Sequence, residues 1–368
     1  YTFRLDVKSI KLFLLCEDTM KLFKQLLVAP AALSLLAPIA ANADVSTLSN
    51  VENQLADVQA GMFSSTTVMS GSVNFVTGST NDHATLGDEL HSTYEIKYGL
   101  KSSFTGEDTL AVKFEQGNGK GMGLDAQSST GSANNTPEIT DLFYSFPLAD
   151  DFSITVGPKL DGDEGLEGTA SVYSDKAGVS LDYASLDGAG GAGATFGYKG
   201  DNGWNASLNL TSVDGADSTK GIFGDAGTNN TTAQLGYDGD NFGGAITYLS
   251  SDTNSSTTDF SALGVGAYYM PESIPVSISV YFDSKDPETG SDDDNWAVGV
   301  EGDAGPGTLG VGVGTISGTD GDKTKYEAWY AYKVNDATTV TPVLWQQEDQ
   351  GLNGEDETGA AVTVGFKF

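Results

Sequence analysis

From about Phe63 onward, apolar and polar residues alternate with a period of two, the pattern of strands that present one apolar face. Trp204, Ala206, Leu208 and Leu210 fall on one face of such a segment, and Asn205, Ser207, Asn209 and Thr211 on the other. Val276, Ile278 and Val280 oppose Ser277, Ser279 and Tyr281, while Tyr94, Ile96, Tyr98 and Leu100 oppose Glu95, Lys97, Gly99 and Lys101. Around Leu309, Val311 and Val313 the second face is glycine, which reads as interior volume left open. In the final segment Val362, Val364, Phe366 and Phe368 form the apolar row, opposite Ala361, Thr363, Gly365 and Lys367.

The connections alternate in length. Long polar segments cover Val76–Leu90, Gln116–Pro137, Pro158–Ala189, Val213–Asn230, Ser250–Asp259, Asp283–Asn295, Ser317–Thr324 and Gln347–Thr358. Between them lie tight turns at Thr105–Asp108, Leu148–Asp151, Gly200–Asn202, Gly239–Asn241, Pro271–Ile274, Gly302–Pro306 and Asn335–Thr338. Eight long and seven short connections join sixteen strands. The expectation is an all-β, transmembrane antiparallel β-barrel over residues 63–368, because long loops on one side and short turns on the other are the habit of such barrels. Short alternating stretches near Ser171–Tyr173 and Val179–Tyr183 would raise the count to eighteen, at the expense of that alternation. Aromatic pairs bracket three turns (Phe146 and Phe152, Tyr198 and Trp204, Tyr237 and Phe242), as an interfacial girdle would. Phe366 and Phe368 then close the barrel in outer-membrane lipid, and the terminal strand is the expected signal for the barrel-assembly machinery.

The N-terminal region reads differently. Residues 1–19 precede Met20 and read as a non-native upstream extension. Residues 20–43 have the short basic start, apolar run and Ala41-Asn42-Ala43 site of a secretory signal peptide. Within 44–62, Leu48, Val51, Leu55, Val58 and Met62 recur at spacings of three and four, predicting a short amphipathic helix or small coiled coil.

Charge narrows the partners. The chain has 18 basic and 51 acidic residues; five of the former and three of the latter lie in residues 1–43, leaving 13 and 48. Such acidity excludes a nucleic-acid partner, which needs a basic footprint. It fits either plain solubility or an acidic vestibule that concentrates cations. The single cysteine and single arginine, Cys16 and Arg4, also lie in the N-terminal stretch, so the rest of the chain has no thiol chemistry and no guanidinium clamp for phosphate.

Several segments together resemble the cyanobacterial outer-membrane porins, an OprB-like family often labelled iron uptake porins. They are Leu100-Lys101-Ser102-Ser103-Phe104-Thr105-Gly106-Glu107-Asp108-Thr109-Leu110, Leu142-Phe143-Tyr144-Ser145-Phe146-Pro147-Leu148, Thr232-Ala233-Gln234-Leu235-Gly236-Tyr237 and Tyr326-Glu327-Ala328-Trp329-Tyr330-Ala331-Tyr332-Lys333-Val334, with Thr339-Val340-Thr341-Pro342 and the final strand. The resemblance implies a homotrimeric barrel for passive diffusion of small hydrophilic solutes and inorganic ions, iron among them. Members commonly carry an S-layer-homology domain before the coiled coil; only Leu48–Met62 stands there, which leaves peptidoglycan anchoring in doubt.

In sixteen-stranded porins the third long loop folds inward, and here that loop is Pro158–Ala189. Lys159, Asp161, Asp163, Glu164 and Glu167 near its start are candidates for the constriction. Lys97, Lys101 and Lys113 point inward by strand parity, and a basic wall opposite an acidic loop would set up a transverse field across the pore. The competing reading is that these lysines only balance Glu95 and Glu115. Asp292, Asp293, Asp294, Glu355, Asp356 and Glu357 form the candidate acidic vestibule, giving a cation-leaning channel with no specific metal site.

Catalysis has no visible machinery: His83 and His91 lack zinc-ligand spacing, and no Gly-x-Ser-x-Gly elbow occurs. No cofactor is expected. The alternative from another class is a secreted acidic β-rich adhesin with calcium-stabilised loops, which needs neither an apolar exterior nor aromatics paired at the turns.

Overall fold

The computed structural model describes residues 66–81, 89–119, 124, 136–179, 188–254, 258–315, 323–349 and 354–368. The expected extension, signal peptide and helix over 1–62 lie outside the described residues, as does His83. Sixteen strands follow in order: β1 Thr67–Asn81, β2 His91–Ser102, β3 Thr109–Gly117, β4 Glu138–Ala149, β5 Phe152–Leu160, β6 Gly191–Lys199, β7 Trp204–Ser212 and β8 Asn229–Asp238. The second half comprises β9 Phe242–Asp252, β10 Phe260–Tyr269, β11 Val276–Pro287, β12 Asp293–Ala304, β13 Gly307–Thr315, β14 Thr324–Asn335, β15 Thr338–Gln347 and β16 Glu357–Lys367. Each pairs antiparallel with the next, and β1 pairs with β16, so the sheet closes into a barrel without edges. At the seam Phe368 and Gly71 exchange two backbone hydrogen bonds, of 2.9 and 3.0 Å.

Alternation in sequence becomes alternation in exposure. Along β7 the outward Trp204 and Leu208 are exposed, whereas the inward Asn205, Ser207, Asn209 and Thr211 are buried. The outward side chains form an apolar surface with aromatics on both sides. Near the short turns Phe152 contacts Tyr198 at 5.0 Å, and Trp204, Tyr237 and Phe242 form a continuous row at 5.4 and 5.5 Å. Nearer the long loops stand the exposed Tyr248, Phe282, Trp296 and Tyr326. On β9 Phe242 and Tyr248 are six residues apart, about 20 Å of strand at a rise of ~3.3 Å per residue. The chain therefore has the expected girdle, together with a second one that the turns did not reveal.

Two expectations change. The segment Asp283–Asn295 is largely strand: Asp283 pairs with Asn295, Ser284 with Asp294 and Lys285 with Asp293. Polar strand ends that rise above the apolar band have the composition of a loop. In addition, the inward glycines do not leave the interior empty. A second apolar cluster lies inside the barrel, where Leu124, Tyr173, Ala177 and Val179 from connecting segments pack with Val76, Leu249, Tyr281, Trp329, Val343 and Trp345 of the wall.

Candidate functional site

The interior is organised by the connection between β5 and β6, residues 161–190. Its described parts, 161–179 and 188–190, contain no strand. Most of Val179–Tyr183 lies outside the described residues, and the barrel closes with sixteen strands. A chain segment inside a barrel must find acceptors for its backbone N–H groups, because buried unpaired donors are costly. The inward polar side chains of successive strands supply them. Glu167 N donates to Ser207 Oγ on β7 at 2.8 Å, Gly168 N to Gln234 Oε1 on β8 at 2.7 Å, Val172 N to Ser279 Oγ on β11 at 3.1 Å, and Ser174 N to Glu301 Oε2 on β12 at 2.8 Å. The Glu164 carbonyl accepts from Thr195 Oγ1 on β6 at 2.6 Å. The segment thus runs along the inner wall from β6 to β14.

Its far end is fastened at Glu327 on β14, which is 3% exposed. The Glu327 carboxylate accepts from the Tyr173 hydroxyl at 2.6 Å, from Ala177 N at 2.7 Å and from Lys176 N at 3.2 Å. Trp329 Nε1 donates to the same tyrosine oxygen at 3.1 Å. Burial, and then the Glu327 carboxylate, push the Tyr173 phenol far up, so it remains a donor. The ring fits because β12 and β13 carry glycine beneath it. A Cβ at Gly299 would lie 2.3 Å from Tyr173 Cγ, and one at Gly312 would lie 2.8 Å from the hydroxyl oxygen. These inward glycines are a seat for an aromatic ring.

The candidate constriction residues are divided by this geometry. Lys97 lies 3.1 Å from the buried Glu95 and 3.8 Å from Glu115, the balancing arrangement considered above. Lys113 bonds Glu164 at 2.8 Å and lies 3.3 Å from Asp141. The basic wall and the start of the acidic segment are therefore in contact, not opposed across a gap. Lys97, Lys101, Lys113 and Asp161 border one cavity together with Ser70, Ser72 and Lys367. Asp163 is exposed beside them. Its carboxyl is raised above the ordinary carboxylate range by burial among the barrel walls, then by Asp161 and Glu164; water reaching the side chain limits the rise. Glu167 accepts from Ser153 Oγ at 3.1 Å and so lies against the wall.

Lys159 is a correction. The register shifts between Gly157 and Leu160, turning the buried Leu160 inward and Lys159 outward, opposite Leu142. Its ammonium donates to the Ile139 carbonyl. The residue taken as the start of the inward loop belongs to the end of β5, where a bulge re-aims the side chains around it. Of the vestibule candidates, Asp292, Asp294, Glu355 and Asp356 are exposed and Asp293 is half-buried at the start of β12. Glu357 departs from the expectation: it opens β16, is 3% exposed and accepts from Gln347 at 3.3 Å. Among the described residues no group of three or more His, Cys, Asp or Glu is placed to hold a metal ion. His91 begins β2, its Nδ1 3.2 Å from the Glu89 carbonyl, and Phe366 packs edge-on against Phe75 at 5.5 Å.

Sequence reasoning missed Tyr173, Glu327 and Trp329. An available signal was a glutamate two residues before a tryptophan on an inward parity, beside a strand whose inward positions 310, 312 and 314 are glycine.

No protein-family model matches the chain, and no curated protein matches it. The cyanobacterial, iron-uptake resemblance thus has no counterpart in either comparison. Among solved structures, the chain is similar to OprB of Pseudomonas putida (TM-score 0.61, 11% identity, covering 87% of this chain and 97% of that one). A multiply substituted porin of Rhodopseudomonas blastica is similar too (TM-score 0.58, 14% identity, 82% and 100%). At such identities the likeness establishes architecture: this chain has the sixteen-stranded fold of bacterial porins.

Proposed function

We propose that the chain is an outer-membrane porin through which small hydrophilic solutes and inorganic ions diffuse passively. The observation that carries this reading is a closed barrel with an apolar, aromatic-edged exterior and a polar inner wall along which one long connection is fastened. An open sheet edge or an exposed polar strand face would be unsustainable in lipid, and this arrangement avoids both. A secreted adhesin has no need of that exterior. The constriction is formed by the start of the inward segment, Asp161 to Glu164, together with the wall it touches at Lys113, which also carries Lys97 and Lys101. Excess acid over base in the chain and the exposed Asp161 and Asp163 favour a cation-leaning passage.

A homotrimer in outer-membrane lipid, with the Phe368-terminated strand presented to the assembly machinery, completes the reading. Iron species are among the ions such a passage would admit, in line with the cyanobacterial resemblance. Planar-bilayer recording tests the proposal. Stepwise conductance is expected, and joint reversal of Asp161, Asp163 and Glu164 to lysine should lower the cation preference. A protein recovered soluble without detergent overturns the porin; unchanged reversal potentials overturn the constriction.

A further inference from the structure

Segment 213–228, between β7 and β8, folds outside the barrel. It contains Gly221-Ile222-Phe223-Gly224, and both Ile222 and Phe223 are exposed although the surrounding segment is polar. The segment is held firmly. Lys220 Nζ lies 2.8 Å from Asp214 Oδ1, Thr228 N donates to Asp214 Oδ2 at 3.1 Å, and Thr219 N and Oγ1 donate to Asp217 at 2.8 and 2.7 Å. Phe223 has a φ of 55°, a left-handed conformation unfavourable for any residue with a Cβ. Strain of this kind persists only where the surroundings enforce it.

The backbone at Gly215 rests against the Ala192 methyl, so the segment bends down over the outward face of β6. Directly below, cross-strand pairing sets Ala194 between Val156 on β5 and Leu210 on β7. A small residue between two large ones makes a slot. The resulting groove has a volume of roughly 600 Å³: Ala192 and Ala194 are its floor, Val156 and Leu210 its sides, and Ile222 and Phe223 its roof. It is continuous with the outward apolar surface and roofed on the long-loop side. Pro158 lies on its rim, and the next residue is Lys159, the lysine that the β5 bulge turns outward.

We infer that this groove binds an anionic lipid of the leaflet on the long-loop side, one acyl chain in the slot and the charged headgroup at Lys159. The inference rests on the reading of the chain as a membrane barrel. A flexible alkyl chain fills an overhung slot that the flat face of a second protein would bridge. Lys159, one residue beyond the rim with its ammonium on the Ile139 carbonyl of the β4 side, is the cation that an anionic headgroup would draw across.

The test uses the full chain reconstituted with equal phosphatidylglycerol and phosphatidylcholine, extracted in mild detergent and weighed intact in the gas phase. The wild type should retain phosphatidylglycerol several-fold over phosphatidylcholine. Ala194→Phe, which fills the slot, should abolish retention, and Lys159→Glu should remove the preference for the anionic lipid. Equal retention in all three proteins overturns the proposal. So does disulfide cross-linking between copies through Ile222→Cys, which would put a second copy on the groove. Conductance of both variants in planar bilayers separates the two readings: conducting variants with unchanged lipid retention defeat the groove alone, whereas a wild type that never inserts defeats the porin.

Discussion

Glu327 shows how much a single inward side chain can decide. It gathers the Tyr173 hydroxyl and the Lys176 and Ala177 N–H groups at one buried carboxylate. Glu327→Gln keeps the shape but replaces one acceptor oxygen with a donor, leaving buried N–H or O–H groups unpaired at a cost of about 1–3 kcal/mol. The loss falls on docking of the inward segment and not on the barrel ladder. Noisier single-channel current and faster proteolysis within 161–190 should follow, while the folded band on SDS gels keeps its migration before boiling. Gly299→Ala attacks the same contact from the wall, since its Cβ would overlap the Tyr173 ring. It should reproduce the noise, and Val300→Ala on the outward side of the same strand should not. Quiet current in both Glu327→Gln and Gly299→Ala would remove the anchor.

At the scale of the element, the turn between β2 and β3 is more than a reversal of direction. Asp108 Oδ1 accepts from Ser103 Oγ, Phe104 N and Thr105 N, each at 2.8 Å, and from Thr105 Oγ1 at 2.9 Å. Oδ2 accepts from the Tyr144 hydroxyl of β4 at 2.6 Å. The tyrosine bond first, then the turn's own donors, hold the Asp108 carboxyl well below the usual carboxylate range. Its contribution to stability is therefore complete above the pH at which a free aspartate titrates, and is lost only in strong acid. Asp108→Ala should lower the temperature at which the folded band converts to the unfolded one in SDS, measured at neutral pH; an unchanged conversion temperature would assign the turn no stabilising role. The turn itself was legible at Thr105–Asp108 from its polar residues. The partner was not, because Tyr144 lies in the next hairpin, and only barrel pairing brings them together. The same holds for Lys159, whose direction depends on a register shift that composition does not record.

For the whole molecule, charge inside the barrel should respond to pH. Asp163 has a raised carboxyl, so as pH falls it takes up a proton before ordinary surface carboxylates do. Each protonation removes one negative charge from the proposed passage. Cation preference should decline on moderate acidification below neutrality, and Asp163→Asn should flatten that part of the profile. Identical reversal-potential curves for the two proteins would show that Asp163 does not sense the permeating ions. The exposed ammonium groups of Lys97 and Lys113, with buried carboxylates behind them, limit how strong any such preference becomes.

The sequence by itself yielded sixteen strands as the preferred count against eighteen, the alternation of long and short connections, and the outward rows of the strands it resolved, because side-chain direction in a strand has a period of two and turn length is local. It also located the segment that enters the lumen, through its length and a family resemblance. Only the tertiary structure decided what that segment does there. Its path from β6 to β14, the seat of Tyr173 on Gly299 and Gly312, and the contact of Lys113 with Glu164 all join residues far apart in sequence. Closure of the sheet sets those distances, and no local pattern encodes them.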